Sequence, residues 1–394
     1  MTVTVVRGNM PLYEMRKFVA PEFIFGVGAR HRAGFYARNM QARKVLIVTD
    51  AGVIAAGWLE EIKQDLAEAG IEYAVFSGLT ENPKDYEVMA GAKFYQEQMC
   101  DVIIALGGGS VIDCAKAIGI VYANGCDVHA FEGVDNVDIP GPPLICIPTT
   151  AGTSADISQF SIIVNSPERY KMAIISKSVV PDVALIDPET TLTLQPHLTA
   201  CTGMDALTHA IEAFVSTANS PVVDVHALAA IELLWNNVEK AVLTPNDLAA
   251  RENMLLGSLQ AGLAFSNASL GAVHAMAHSL GGYLDLPHGE CNALLLDHVI
   301  RFNITSEPDR YQRIATIMGL HNPSHNQQQR ANSITDALAE KRRLLGLTDK
   351  MSNWGVKYGD IADLAHHAAK DACLVTNPRH ASLDDLKVIY GEAL

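Results

Sequence analysis

The sequence predicts a protein in two parts, an α/β N-terminal half followed by an all-helical C-terminal half. The chain has 394 residues, more than a single hydrophobic core usually accommodates, so two domains of about 200 residues are expected. Short β-branched runs alternate with amphipathic stretches as far as Asp187-Pro188, and from about residue 197 the chain is rich in Ala, Leu, His, Met and Glu. We therefore predict domains at residues 1–190 and 191–394.

The N-terminal half alternates predicted strands with predicted helices. K-V-L-I-V-T-D (44–50) and D-V-I-I-A-L (101–106) have the apolar pattern of buried strands, and amphipathic stretches occur near 54–69 and 84–99. This alternation is typical of right-handed βαβ units in a parallel sheet that is covered on both faces. The alternation includes a strand at 73–77. Further strands are predicted at 143–150, 160–164, 171–176 and 182–187, some of them antiparallel because their connections are short.

Charge and composition exclude several classes of protein. The formal charge of -15 disfavours binding to DNA or RNA, which depends on clustered Lys and Arg. The seven cysteines are an odd number without C-x-x-C spacing, which indicates reduced thiols. The sequence lacks both a membrane span of ~18 apolar residues and an N-terminal secretory signal. We expect a soluble, cytoplasmic protein that binds neither nucleic acid nor membrane.

A glycine-rich segment, G-G-G-S-V-I-D-C-A-K (107–116), follows the predicted strand at 101–106. Its glycines would let the backbone approach a ligand, and the first N–H groups of the next helix would face an anion. This predicts a phosphate site, although an ordinary tight turn has the same composition. P-T-T-A-G-T-S (148–154) also follows a strand and presents hydroxyls, as a solvated loop would. Both segments should lie at the carboxyl edge of the sheet, where such sheets bind ligands.

Asp50 ends the strand at 44–50 and should lie at the same edge. A carboxylate in this place suits the ribose hydroxyls of an unphosphorylated adenosine and repels a 2′-phosphate, which favours NAD over NADP. An aspartate that merely caps the next helix would give the same pattern.

Two pairs of polar residues stand four apart in apolar helical stretches: Asp205 with His209, and His274 with His278. Residues at this spacing project from one face of a helix about one turn apart. One histidine on such a face is usually a hydrogen-bonded core residue. Two such pairs buried without partners would be costly, and a divalent cation would satisfy all of them.

A third histidine could come from the next turn of the chain. We expect Gly281-Gly282 and Pro287 to end one helix and to begin another, so that His288 folds back toward the two pairs. Spacing alone does not rank His278 against His288 as a ligand. A carboxylate with imidazoles suits Fe(II), Zn(II), Co(II) or Ni(II), whereas Ca(II) and Mg(II) prefer more oxygen ligands.

Taken in order, these motifs resemble those of the iron-containing (group III) alcohol dehydrogenases. The similarity extends from the strand around Phe23 to N-P-R at 377–379, and its most specific parts are D-A-L-T-H-A-I-E, A-F-S-N-A-S-L-G-A-V-H-A-M-A-H and P-H-G-E-C-N. The resemblance implies a Rossmann-like N-terminal domain, an all-helical C-terminal domain as in dehydroquinate synthase, and a cleft between them that holds NAD(P) and one divalent metal, commonly iron. It also implies a homodimer or a larger homo-oligomer.

The resemblance assigns roles to individual residues. The implied metal ligands are Asp205, His209, His274 and His288, with His278 near nicotinamide or substrate; of these we expect Asp205, His274 and His278 to be catalytic. The implied cofactor residues are Gly107, Gly108, Gly109, Ser110, Asp113, Thr149, Thr150, Thr153 and Lys171. Asp50, predicted from its place at the end of a strand, is added to this set. The implied substrate-pocket residues are Phe160, Phe265 and Cys373. Where many relatives have G-T-G-S-E, this chain has G-T-S-A-D (152–156), which leaves the contacts of Ser154 and Asp156 open.

These assignments predict an NAD-dependent alcohol dehydrogenase, or aldehyde reductase, that uses Fe(II), Zn(II) or another divalent metal. The metal would act as a Lewis acid on the alcohol oxygen while hydride passes to nicotinamide, and His278 would carry the proton outward. The apolar motifs around Phe160 and Phe265 favour short primary alcohols or small diols.

Two other functions fit parts of the pattern. A dehydroquinate-synthase-like lyase would also use NAD and a metal, but it would need additional Lys and Arg for a phosphorylated, acidic substrate. A non-catalytic, NAD-binding regulatory protein would have no need to keep the metal ligands. Release of NADH with a panel of alcohols distinguishes the three.

Overall fold

The computed structural model describes residues 17–322 and 324–394, so the N-terminus examined above for a secretory signal lies outside the described residues. The strands are β1 (Glu22–Phe25), β2 (Lys44–Val48), β3 (Glu72–Phe76), β4 (Val102–Gly107), β5 (Gly133–Val134), β6 (Leu144–Pro148), β7 (Phe160–Asn165), β8 (Tyr170–Ile175) and β9 (Val183–Ile186). The α-helices are α1 (Ala33–Asn39), α2 (Ala51–Ala55), α3 (Trp58–Glu68), α4 (Asp85–Glu97), α5 (Gly109–Asn124), α6 (Pro196–Val215), α7 (Pro221–Leu243), α8 (Leu248–Ala268), α9 (Ala272–Leu284), α10 (His288–Asn303), α11 (Pro308–Ile317), α12 (Gln327–Leu344), α13 (Ile361–Ala368) and α14 (Leu383–Ala393).

Six strands form a parallel sheet in the order β1-β9-β6-β4-β2-β3. Its inner strands are buried because apolar residues of α1 and α3 cover one face while those of α4 and α5 cover the other. This confirms the predicted α/β half. The antiparallel pairing that we expect from the short connections is that of β7 with β8, and these two strands join β5 in a separate three-stranded sheet.

The C-terminal part consists of helices around one large apolar core, as the sequence predicts. Helices α6, α7 and α8 pack on one another, and α10 packs against both α6 and α9. No helix of the described ranges is long and apolar enough to cross a bilayer.

The helix break predicted at Gly281-Gly282 is wrong, because α9 continues through both glycines to Leu284. The helix ends at Asp285 instead, which adopts a left-handed conformation with φ of 55°. Gly282 serves packing: a Cβ there would lie 2.8 Å from the Cα of Tyr170 at the start of β8. Glycine therefore allows α9 to lie directly on the strand.

Candidate metal and nucleotide site

Donor atoms from three helices converge on the carboxylate of Asp205. Helix α6 carries Asp205 and His209, α9 carries His274, and α10 begins at His288. The Oδ1 atom of Asp205 lies 3.7 Å from Nε2 of His274 and 3.7 Å from Nε2 of His288. Nδ1 of His209 lies 3.9 Å from the same oxygen. The four residues predicted from the resemblance as metal ligands are therefore brought together.

The chemistry of this cluster fits a divalent cation. Nδ1 of His209 and Nδ1 of His288 are buried and have no hydrogen-bond partner among the described residues. Burial lowers the pKa of His209 to about 3 and also lowers that of His288, so both imidazoles are neutral. Burial alone would raise the pKa of Asp205, but the surrounding imidazoles hold it well below its usual range. An ionised carboxylate beside imidazoles is the donor set that such a cation requires.

Glu212 orients one of the imidazoles. Its Oε2 atom lies 2.5 Å from Nδ1 of His274, and its Oε1 atom accepts a hydrogen bond of 2.7 Å from the N–H of Val273. All of these groups are buried. A carboxylate on Nδ1 fixes the ring so that Nε2 faces Asp205, as partners of metal-binding histidines commonly do. No role for Glu212 is predicted from the sequence.

Asn292 was also missed. Its Nδ2 atom donates to Oδ1 of Asp205 at 2.7 Å and lies 3.1 Å from Nε2 of His274 and 3.2 Å from Nε2 of His288. It follows His288 by one turn of α10, so the same helix face presents both residues. Asn292 thereby contacts three of the four predicted ligands.

His278 has a carboxylate partner of its own. Its Nδ1 atom lies 2.8 Å from Oδ2 of Asp371, whose Oδ1 atom accepts from the N–H of Cys373. The ring of His278 lines the cleft and stacks on that of His288, with centroids 5.1 Å apart. Spacing left open which of these two histidines is a ligand. In the structure His288 lies beside Asp205, whereas His278 pairs with Asp371.

The two predicted nucleotide loops lie side by side at the carboxyl edge of the sheet. Gly107 of β4 is in register with Pro148 of β6, and the N–H of Thr149 donates to the carbonyl of Gly107. A Cβ on Gly109 would lie 2.6 Å from the side chain of Thr153, so only glycine permits this contact. A Cβ on Gly108 would likewise lie 3.1 Å from the side chain of Thr150. Gly109, Ser110, Asp113 and Thr153 line the cleft, and the first turn of α5 opens into it.

Two buried charged groups flank this loop. Lys171 on β8 lines the cleft and donates to Oδ1 of Asn82 at 2.6 Å. Burial raises the pKa of Asp113 to about 7, although the positive charges of Lys116 and Lys171 oppose the rise.

Asp50 caps helix α2, and its Oδ1 atom accepts a 2.9 Å hydrogen bond from the N–H of Val53. Helix capping is the alternative role that the sequence predicts for Asp50. Asp50 is not among the side chains that line the described cleft. One carboxylate oxygen is left for other partners, so its predicted role at ribose stays a prediction.

One end of the cleft, where the substrate-pocket residues are predicted, is apolar. Phe265 stacks on His209 with ring centroids 4.3 Å apart, and Phe160 lies 5.6 Å from Phe265. Leu270 and Ile162 extend the same wall. Cys373, the third residue predicted here, is fully buried next to His278 and Asp371 rather than among the lining side chains.

The segment 152–156, which departs from the family pattern, contacts helix α8 of the C-terminal half. Ser154 has a left-handed φ of 49°, and its Oγ atom donates to the carbonyl of Ser258 on α8 at 2.6 Å. A Cβ on Gly262 of α8 would lie 2.5 Å from the Cβ of Ser154. Asp156 is buried, which raises its pKa to about 6.

A parallel sheet with a glycine-rich loop at its carboxyl edge, opposite a buried carboxylate and imidazoles, defines a two-domain dehydrogenase that combines a dinucleotide with a metal. Comparison with known proteins gives the same class. Residues 20–188 match the model of the iron-containing alcohol dehydrogenases, and residues 199–394 match that of the C-terminal part of the Fe-containing alcohol dehydrogenase family. The chain belongs to the iron-containing alcohol dehydrogenase family.

Individual relatives are similar over nearly the whole chain. The 1,3-propanediol dehydrogenase of Citrobacter freundii is 38% identical over 384 residues, which cover 97% of this chain and 99% of the relative. The NAD-dependent methanol dehydrogenase of Bacillus methanolicus is 37% identical over 377 residues, or 96% and 99% of the two chains. The crystal structure of a 1,3-propanediol oxidoreductase superposes with a TM-score of 0.93 at 37% identity and covers 97% of this chain and 100% of its own.

The chain is therefore an oxidoreductase, an alcohol dehydrogenase of the family that uses NAD and iron. This confirms the predicted family, fold class, enzyme class and cofactors.

Proposed function

We propose that this enzyme oxidises short primary alcohols or small diols with NAD and reduces the matching aldehydes. The reaction takes place between a nucleotide-binding domain at residues 1–190 and a metal- and substrate-binding domain at 191–394. The observation that carries the proposal is the convergence of four metal-ligating side chains beside the apolar wall of Phe160 and Phe265. The relatives named for 1,3-propanediol and methanol support a small substrate.

In this proposal Asp205, His209, His274 and His288 hold one divalent metal, Fe(II) or, in its place, Zn(II). When bound, the ion supplies Lewis acidity at the alcohol oxygen. Glu212 keeps His274 in the orientation that directs Nε2 toward the ion, and Asn292 fixes the carboxylate of Asp205. Because Asp205 is ionised and the imidazoles of His209 and His288 are neutral, these three need no proton removed when the ion binds.

The opposite wall binds NAD. The backbone of Gly107, Gly108, Gly109 and Ser110 and the start of α5 hold the pyrophosphate, because N–H groups and the helix dipole favour an anion there. Thr149, Thr150 and Thr153 would present hydroxyls from the neighbouring loop. Asp113 would act with the pyrophosphate loop, Lys171 would lie near the cofactor, and Asp50 would accept from the adenosine ribose.

His278 moves the alcohol proton out of the cleft. Asp371 engages Nδ1 of His278 at 2.8 Å and so presents Nε2 as the free acceptor. Phe160 and Phe265 exclude water from the reacting centre, and Cys373 packs behind His278 to keep that side of the pocket closed.

NADH formation with a panel of alcohols tests this function. The enzyme is stripped with a chelator, reloaded with Fe(II) or Zn(II), and assayed with methanol, ethanol, 1,2-propanediol, 1,3-propanediol and butanol. We expect turnover only after reloading. Absence of NADH with every alcohol, together with no NADH consumption with aldehydes, would overturn the proposal and favour the lyase or the regulatory protein.

We also propose that the enzyme is a cytoplasmic homodimer or a larger homo-oligomer. Size-exclusion chromatography with light scattering tests the assembly, and a monomer at working concentration would contradict it.

A further inference from the structure

A second cluster of metal-ligating side chains lies outside the cleft. His197 and Cys201 stand on the first turns of α6, and Glu290 stands on the first turn of α10. Nε2 of His197 is 3.6 Å from Sγ of Cys201, and one donor atom from each of the three residues lies within 4.8 Å of the others. Donor atoms of Asp205, His209 and His274 satisfy the same spacing.

Local packing explains why the three side chains meet. His197 and Cys201 are four residues apart, so one face of α6 presents both. At Gly289 a Cβ would lie only 2.2 Å from the carbonyl oxygen of Cys201, which means that only glycine lets α10 approach α6 this closely. The next residue, Glu290, is thereby placed against the His–Cys pair.

Among the described residues, the carboxylate of Glu290 has no Lys or Arg partner. Within the ranges 17–322 and 324–394, neither Glu290 nor Asp349, whose charge acts on Glu290, forms an ion pair with Lys or Arg. Cys201 is buried, Glu290 is partly buried and His197 is exposed, so the cluster opens to solvent on one side.

We propose that His197, Cys201 and Glu290 form a second metal site, which takes a thiophilic divalent cation such as Zn(II) or Co(II) and joins the start of α6 to the start of α10. One thiolate and one carboxylate balance the charge of the ion, and the thiolate selects against Mg(II) and Ca(II). Three protein ligands leave one position to solvent, as in open zinc sites.

This second site borders the cleft without sharing donor atoms with it. Cys201 precedes Asp205 by one helical turn, and Glu290 follows His288 by two residues. A cation held here would therefore fix the backbone of two helices that carry predicted ligands of the first metal. The site stands on its own geometry, so it does not depend on which alcohol the enzyme oxidises.

Cobalt binding to the full-length protein tests the inference. Chelated enzyme is titrated with Co(II) without oxygen, bound metal per chain is measured by elemental analysis, and the near-ultraviolet thiolate-to-cobalt charge-transfer band is recorded. We expect two ions per chain and the band in the wild type. Cys201→Ser should lose the band and one ion. His209→Ala should lose one ion but keep the band, and Cys126→Ser, at a partly buried cysteine elsewhere, should keep both ions.

Two milder variants guard against misfolding as an explanation. His197→Ala and Glu290→Gln alter side chains that are not fully buried. Each should weaken Co(II) binding at the second site by more than ~10-fold, because removal of even a residue that only supports a metal ligand costs about that much affinity. A wild type without the band, or a band that survives in Cys201→Ser, would overturn the inference. Failure of alcohol oxidation by metal-loaded enzyme would instead contradict the proposed function and leave the band unchanged.

Discussion

The two walls of the cleft recognise their ligands by different means. The N-terminal wall offers backbone N–H groups and hydroxyls from two loops, and its shape depends on the contact between Gly109 and Thr153. The C-terminal wall offers buried carboxylate and imidazole atoms from helices, and further carboxylates orient two of the imidazoles: Glu212 orients His274 and Asp371 orients His278. The first wall is therefore sensitive to the volume of a side chain, and the second to the identity of a donor atom.

Removal of the carboxylate of Asp205 should abolish metal binding at the C-terminal wall. In Asp205→Ala the imidazoles of His209, His274 and His288 lose the oxygen on which they converge. We expect loss of the cleft metal and a fall in kcat on the order of 10³-fold, comparable with loss of one preorganised stabiliser of the transition state. Elemental analysis and NADH release measure both, and Asp247→Ala, at the cap of α8, should change neither. Full metal content in Asp205→Ala would contradict the ligand assignment.

Substitution of His278 on the same wall should impair proton transfer without affecting metal binding. We expect His278→Ala to lower kcat by about 10²-fold or more, as loss of a general base does, while the metal content stays unchanged. Asp371→Asn leaves the imidazole in place but alters its partner, so the expected fall is smaller, ~10-fold. Equal loss of metal and turnover in His278→Ala would show that this residue is a ligand instead.

Added volume at the N-terminal wall should weaken nucleotide binding alone. In Gly109→Ala the new Cβ would meet the side chain of Thr153 at 2.6 Å, which displaces the loop. We expect the KM for NAD to rise by roughly tenfold, or about 1.4 kcal/mol, with unchanged metal content. Gly78→Ala is the matched control because nothing lies within 4 Å of its Cβ position. An unaltered KM in Gly109→Ala would argue against this loop as the pyrophosphate site.

The smallest change should come from Asp50, which is engaged in capping. Asp50→Gly removes the carboxylate that would repel a 2′-phosphate, and glycine at a cap costs only a few tenths of a kcal/mol of stability. We expect NADP to become usable while NAD is still accepted, as measured by kcat/KM for both cofactors. Unchanged cofactor preference would leave Asp50 with its capping role only.

Much of the C-terminal wall could be predicted because the helical repeat is local. Four-residue spacing predicted that the pairs Asp205 with His209 and His274 with His278 would face one site. The same repeat could have suggested Glu212, three residues after His209, and Asn292, four after His288. Their functions were missed because each acts on a partner far along the chain: Glu212 on His274, 62 residues away, and Asn292 on Asp205, 87 residues away.

Other features depend on packing that sequence patterns do not carry. Asp371 meets His278 from a loop 93 residues away, and no local signal marks that pairing. Gly281-Gly282 resembles a helix end, yet α9 continues through both glycines and Gly282 is needed where α9 touches β8. For Asp50 the difficulty is different. Helix capping and cofactor binding both favour an aspartate at this position, so the sequence pattern does not distinguish the two roles.

Because Ser154 and Gly262 are in close contact, the residue that one position accepts depends on the residue at the other. A Cβ at 262 would stand 2.5 Å from the Cβ of Ser154 and 3.2 Å from that of Ile157, so a larger residue at this point of α8 displaces this segment. We expect such a residue to be tolerated better when residue 154 is glycine, which removes the closer of the two contacts. Libraries that aim to reshape this side of the cleft should vary both codons together.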